Sequence, residues 1–363
     1  MNYRISELHA EEEYITDKTE TIDIDLTDPI SEIVLFWRPH NNVGNAEASE
    51  HLLKGLTKVE IIDGSDVLLS LTGLQAQAID WYQNHTLRTP WNCYLNGNYA
   101  DIQVGIPFGR YLWDRELAFD ASKFTNPQLK VTMDIDAGGC GVDKIKLKVL
   151  AAIFDERKVT PRGFLMNKEI KEYTMGSATH EYTDLPTDYN YRKMFVQART
   201  PGTEPEHEID TLKLSEEHDR KIPFNAISFK DLMRLAAYKH GLITEDILLV
   251  ELSTQTNGYC TPTSRVGGQI QSWHEASSLH SHAFYDGDGG RFYAINDLGA
   301  DNVTIRVTGE IPHGVFEIPF GDEMDPADWY NVTKLGSLKA DILSQTGGST
   351  DDLQILLQQF RPY

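Results

Sequence analysis

Apolar and polar residues alternate with a period of two through several short stretches of the chain, and that alternation predicts strands. It is plainest in Leu129-Lys-Val131-Thr-Met133-Asp-Ile135 and in Ile145-Lys-Leu147-Lys-Val149. Gly138-Gly139 stands between them, and two alternating runs across a Gly-Gly turn predict a β-hairpin. The same order returns near the C-terminus as Leu338-Lys-Ala340-Asp-Ile342, Gly347-Gly348 and Leu353-Gln-Ile355-Leu-Leu357. Helical spacing is convincing in two places. Leu71, Leu74, Ala78, Ile79 and Tyr82 share one face; Leu232, Leu235, Ala236 and Tyr238 do much the same behind a Ser228 cap with Asp231 three residues on. At the N-terminus Ile5, Leu8 and Tyr14, with Glu11 to Glu13 between them, follow a helical pattern too short to be stable alone.

These elements occur twice in the same order. Ile106-Pro107-Phe108-Gly109 answers to Ile311-Pro312-His313-Gly314, 205 residues on, with Asp120 and Asp325 following at the same interval. A second match, Ile318-Pro319-Phe320-Gly321, leaves that register open by seven residues. Upstream, Tyr14 and Leu26 answer to Tyr173 and Leu185, each 159 residues apart. Each pair leads into an apolar strand ending in Arg and Pro, Ile33 to Pro39 and Met194 to Pro201. Strands around Val59–Ile62 and Leu212–Leu214 then precede the two helices. The larger interval at the back means that the second copy carries an insertion, broadly 241–310. Its turn signals (Asn257-Gly258, Gly267-Gly268, Asp286 to Gly290) predict projecting loops. The chain therefore divides into an arm (1–13), a first unit (14–155), a linker (156–172) and a second unit (173–363).

Short strands interrupted by one helix per unit fit neither an up-and-down barrel nor a parallel fold. The expected class is all-β with a few short helices: two tandem eight-stranded jelly-roll sandwiches.

Composition narrows the function. The net charge is −22, from 55 acidic and 33 basic residues, and no basic run occurs. Wrapping nucleic acid needs basic surface to displace counterions, so no direct nucleic-acid binding is expected. The first 32 residues carry ten acids against Arg4 and Lys18 alone. Cys93, Cys140 and Cys260 stand far apart and form no zinc-like spacing, which predicts buried reduced thiols. No apolar run approaches a membrane span, and the acidic N-terminus does not read as a secretory signal.

One cluster has the residue types of an enzyme: Trp273-His274-Glu275, His280-Ser-His282 and Asp286-Gly-Asp288-Gly-Gly290. A His-x-His pair on a strand places both imidazoles on one face, as a metal site needs. Two-domain cupins use such a pair with a further histidine after a Pro-x-Gly turn. Here that position is Glu317, Met324 in the alternative register, or Leu112 in the first unit. The cupin reading lacks a ligand in each. Asp286 and Asp288 resemble a fragment of a calcium loop without its remaining oxygens or closing Glu. His280, His282, Asp286 and Asp288 stay as weak metal candidates, with no catalytic residue and no cofactor expected. Asn302-Val-Thr304 and Asn331-Val-Thr333 match the glycosylation pattern but read as ordinary strand and turn.

Val59-Glu-Ile-Ile-Asp-Gly64 leading into Leu71-Thr-Gly-Leu-Gln-Ala-Gln-Ala78, the Ile-Pro-x-Gly turns, and the closing Gln358-Gln-Phe-Arg-Pro-Tyr363 carry a family resemblance. Over roughly residues 12–363 the plan resembles the double jelly-roll major capsid proteins of adenovirus and the tailless, membrane-containing bacteriophages. The resemblance implies a structural protein of the virion rather than an enzyme. Three copies would form a pseudo-hexagonal tile, made in the host cytoplasm and packed beside other capsomers and penton or minor capsid proteins. Whether an internal membrane lies beneath the shell stays open. Double jelly rolls also occur in glycan-acting amidases and carbohydrate-binding proteins, which is the second reading; a secreted enzyme of that kind calls for a signal peptide and a cleft with paired acids and Trp.

Overall fold

The computed structural model describes residues 2–42, 48–252, 254–273, 281–296, 300–348 and 350–363. The N-terminal part supplies β1 (Tyr3–Tyr14), β2 (Lys18–Asp23), β3 (Ile30–His40), β4 (Leu56–Asp63), β5 (Asp66–Leu71), helix α1 (Gly73–Asn84), β6 (Trp91–Cys93), β7 (Ile102–Pro107), β8 (Pro127–Met133) and β9 (Lys144–Phe154). Two four-stranded layers result, β1-β9-β3-β7 and β2-β8-β4-β5. Their inward residues, among them Ile33, Leu35, Trp37, Val59, Ile61, Leu129, Val131, Leu147 and Val149, form one buried core.

The C-terminal part repeats the plan. It supplies β10 (Gly163–Met175), β11 (His180–Asp184), β12 (Tyr191–Ala198), a single helical turn α2 (Pro205–Glu208), β13 (Ile209–Glu216), β14 (Lys221–Ser228) and α3 (Phe229–His240). Six strands of the long insertion follow: β15 (Ile243–Leu252), β16 (Thr256–Tyr259), β17 (Pro262–Trp273), β18 (His282–Asp286), β19 (Arg291–Asn296) and β20 (Ala300–Pro312). Then come β21 (Val315–Pro319), β22 (Leu338–Ser344) and β23 (Thr350–Pro362). The layers of this second roll are β10-β23-β12-β21 and β11-β22-β13-β14, in the order of the first. A double jelly roll is the result. One parallel bridge, Ser70 to Lys168, joins β5 to β10, so a layer of each roll merges into one eight-stranded sheet.

Several expectations are corrected. The N-terminal segment is a strand, not a helix: β1 runs antiparallel to β9, from Tyr3 opposite Phe154 to Tyr14 opposite Ile145. Glu7 pairs with Lys148 at 2.9 Å, and Glu11 pairs with Arg38 of β3. Cross-strand ion pairs and a backbone ladder outweigh a short helical spacing. The two Gly-Gly turns do not close hairpins. β8 pairs with β2 and β4 while β9 pairs with β1 and β3; β22 and β23 part in the same way. Each turn carries the chain between facing layers, because both strands bury one apolar face in the same core. Residues 163–172, read as linker, are the first part of β10.

The seven-residue ambiguity is also resolved. Ile33 pairs with Ile106 as Met194 pairs with Ile318, so the repeat of Ile106-Pro107 is Ile318-Pro319, 212 residues on. Asp120 and Asp325 are then not counterparts. In both rolls the residue after the motif's glycine donates its N–H to a later aspartate, Arg110 to Asp114 at 3.1 Å and Asp322 to Asp328 at 2.7 Å. Gly321 has φ +69, and a Cβ there would meet the Asp328 carbonyl oxygen at 2.2 Å. The insertion is strand-rich rather than a set of loops. β17-β20-β15 is extended by β6 of the first roll, which lies parallel to β15, and β16-β19-β18 forms a second small sheet. Ile247, Leu249, Val303, Ile305 and Phe292 join the first roll's core cluster.

Candidate assembly surface

The junction between the rolls shows how one jelly roll of this chain covers another. α1 begins with a reciprocal cap: the Thr72 hydroxyl accepts from the Gln75 N–H at 3.3 Å, and the Gln75 side-chain oxygen accepts from the Thr72 N–H at 2.9 Å. Residues 73–82 of this helix are buried throughout. From it, Tyr82 reaches over the second roll, its hydroxyl donating to the Val315 carbonyl at 2.8 Å and its ring 6.0 Å from that of Phe195. The Gln75 amide nitrogen lies 2.6 Å from the Gln354 side-chain oxygen and 3.1 Å from that of Gln197. In consequence β12 is buried on both faces: Met194 and Val196 face the second roll's core, Phe195 the first's.

α3 holds the corresponding place on the second roll. The Ser228 hydroxyl accepts from the Asp231 N–H, as its spacing predicts, and Gly241 at φ +80 ends the helix. The buried face is not the expected one. Phe229, Met233, Ala236 and His240 point inward, whereas Leu235 is 68% and Tyr238 93% exposed. Leu242 just beyond is exposed too.

A buried charge cluster ties α3 to its sheet. Glu317 of β21 accepts from Lys193 of β12 at 2.6 Å, from Lys239 at 3.1 Å and faces the His240 Nε2 at 2.9 Å. Lys193 also meets Glu323 at 2.7 Å. Burial by itself would raise the Glu317 carboxyl, but Lys193, His240 and Lys239 hold it well below the ordinary range. Burial pushes Lys193 down to about 8 against the pull of Glu317. In the first roll the matching position is held by other residues: Arg88 bridges Asp80 of α1, at 2.6 Å, and Glu32 of β3.

Of the candidate metal residues, His282, Asp286 and Asp288 are described, and these three do not converge. His274 and His280 lie outside the described residues. His282 opens β18 and pairs with the buried Glu251 of β15. Asp286 closes the same strand and turns back on the Gly287 N–H at 3.1 Å. Asp288 follows in a tight turn whose carbonyl accepts from the Gly202 N–H at 3.0 Å. Among the described residues no three His, Cys, Asp or Glu side chains are grouped to hold a metal. Cys93, Cys140 and Cys260 are buried and unbridged. Asn302 lies in β20, and Asn331 is exposed between β21 and β22.

Sequence periodicity did not single out the α1 junction or the Glu317 cluster. The spacing of Phe229, Met233, Ala236 and His240 was legible, but a polar residue at the last position concealed it. In the sequence Glu317 stands out only as the position where a cupin ligand is missing.

No family model matches the chain, and no curated protein matches it. Solved structures do. The major capsid protein P2 of bacteriophage PM2 aligns at TM-score 0.55 and 11% identity, over 99% of this chain and 98% of that one. The major capsid protein of Sulfolobus turreted icosahedral virus aligns at TM-score 0.60 and 10% identity, over 99% and 96%. VP54 of PBCV-1 aligns at TM-score 0.57 and 10% identity, over 99% and 94%. The likeness runs through both rolls, and at these identities it is a likeness of fold.

Proposed function

We propose that this chain is a major capsid protein whose copies trimerise into pseudo-hexagonal capsomers of an icosahedral virus shell. The observation that carries the reading is the end-to-end match to capsid subunits, with more than nine-tenths of each compared chain covered. A binding module or enzyme that borrowed one roll would match part of such chains. Two rolls with the same layer order present six similar wedges when three copies meet, which is the geometry of a hexagonal tile. The chain works by shape, alongside other capsomers and penton or minor capsid proteins, in the virion after synthesis in the host cytoplasm. Its charge of −22 leaves genome neutralisation to something else, with an underlying membrane one arrangement the reading accommodates. Catalysis is not part of this reading, and no observation favours the glycan-acting alternative.

The test is light scattering on the purified full chain, followed by negative-stain microscopy. Trimers with a six-sided outline are expected. A monodisperse monomer at tens of micromolar that cleaves or binds glycans would replace this reading with the alternative.

A further inference from the structure

The internal repeat turns the junction inside the chain into a template for the junction between chains. Thr72 and Ser228 are equivalent caps, so Ile79 and Tyr82 of α1 correspond to Leu235 and Tyr238 of α3. The first pair is buried, Tyr82 against the other roll; the second pair is exposed. The face that α1 covers has a counterpart as well. Ile33–Ile106 matches Met194–Ile318, and Leu35–Val149 matches Val196–Ile355. By that register Phe195 corresponds to Val34, Gln197 to Phe36 and Gln354 to Lys148. Whereas β12 is buried on both sides, Val34, Phe36 and Lys148 remain half-exposed on the outer side of β3 and β9.

From this we infer that α3 of one copy docks on the outer face of β3 and β9 in the first roll of a second copy. The inference rests on the reading that copies of this chain pack together, and it says where. Tyr238 takes the place of Tyr82, with its ring on Val34 and Phe36. Asp231 takes the place of Gln75, which inside the chain meets Gln354 at 2.6 Å and Glu169 at 3.1 Å. Across the new junction that neutral amide pair becomes Asp231 against Lys148, two opposite charges. Lys230 takes the place of Leu74, which shares a cavity with Glu169, and the counterpart of Glu169 is Glu7. Lys230 and Lys148, which already bridges Glu7 at 2.9 Å, thus set two cations among the two acids Asp231 and Glu7, in a chain whose overall charge would set unspecific copies against each other. The edges agree. Ser70 and Lys168 bridge β5 to β10, and their counterparts Ala226 and Ser6 sit on β14 and β1, which are edge strands among the described residues.

The experiment is light scattering or sedimentation of the full chain across a concentration series, with thermal unfolding run in parallel. Tyr238→Asp alters a side chain that is 93% exposed and so leaves the isolated fold intact. It is expected to raise the concentration for half-association about tenfold or more, and Lys148→Asp, which sets two acids against Asp231, to do the same. Adding Asp231→Lys to Lys148→Asp is expected to restore association, a recovery that a merely unfolded variant cannot show. If the native chain associates and Tyr238→Asp and Lys148→Asp associate equally well, the interface lies elsewhere; this inference fails and the capsomer reading stands. A native chain that stays monomeric at every concentration sinks both.

Discussion

The hydroxyl of Tyr82 and the carbonyl of Val315 meet at 2.8 Å across the junction of the two rolls, linking helix α1, buried over residues 73–82, to the strand that follows the insertion. Tyr82→Phe leaves the ring and removes the bond, so a loss of about 1 kcal/mol is expected. Tyr82→Ala removes the ring that packs on Phe195 and should cost roughly 3–5 kcal/mol. Chemical denaturation of the three proteins measures both. Equal losses for Phe and Ala would mean that packing at this site counts for nothing.

Glu317 lies beneath α3 with three basic partners around one buried carboxylate. Glu317→Ala strands the buried Lys193 with only Glu323 beside it, and a loss of roughly 3–5 kcal/mol is expected. Replacing both charges, Lys193→Met with Glu317→Leu, should cost less than the single change, since no buried charge is left alone. A double variant weaker than the single one would show that the pair stabilises the roll beyond its own desolvation cost.

Acid should loosen the junction around His51. Its ring is buried, accepts from the Leu53 N–H at 3.2 Å and stands 4.7 Å from the ring of His313. Burial, with the charge of Arg199 adding to it, lowers its pKa from 6.5 to about 3. A folded-state value below the unfolded one means that the unfolded chain binds the extra proton. The stability it contributes is therefore complete above pH 6.5 and is lost as pH falls towards 3. The slope from this one group is about 1.4 kcal/mol per pH unit within that window. Unfolding curves between pH 7 and 4 should be flatter for His51→Gln than for the native chain. Parallel slopes would remove His51 from the account.

Deleting residues 2–13 should damage the first roll rather than trim a loose arm. β1 is hydrogen-bonded along β9, and its loss bares the backbone edge of β9 together with Lys148 and Arg38. The truncated chain is expected to unfold at a lower temperature and to aggregate. A truncated chain as stable as the intact one would make β1 an accessory.

Period-two alternation, the Ile-Pro-x-Gly motifs and the two helix caps settled the strand-rich class and the twofold repeat. Those are local signals, because a strand shows one face to a core whichever strand lies beside it. Pairing is not local. The strands on either side of Gly138-Gly139 read as a hairpin, yet the chain crosses between layers there, since alternation marks a buried face without naming the sheet that supplies it. The same holds for α3, where Leu235 and Tyr238 read as core. Only the folded chain shows that their counterparts in α1 are buried, Tyr82 against the neighbouring roll, while they themselves stay exposed among the described residues. The insertion differs from its loop-like reading because its strands complete themselves on β6 of the other roll, a contact far away in sequence. Sequence thus determined which side chains seek cover; tertiary structure decided what covers them, because that depends on surfaces brought together by residues hundreds of positions apart.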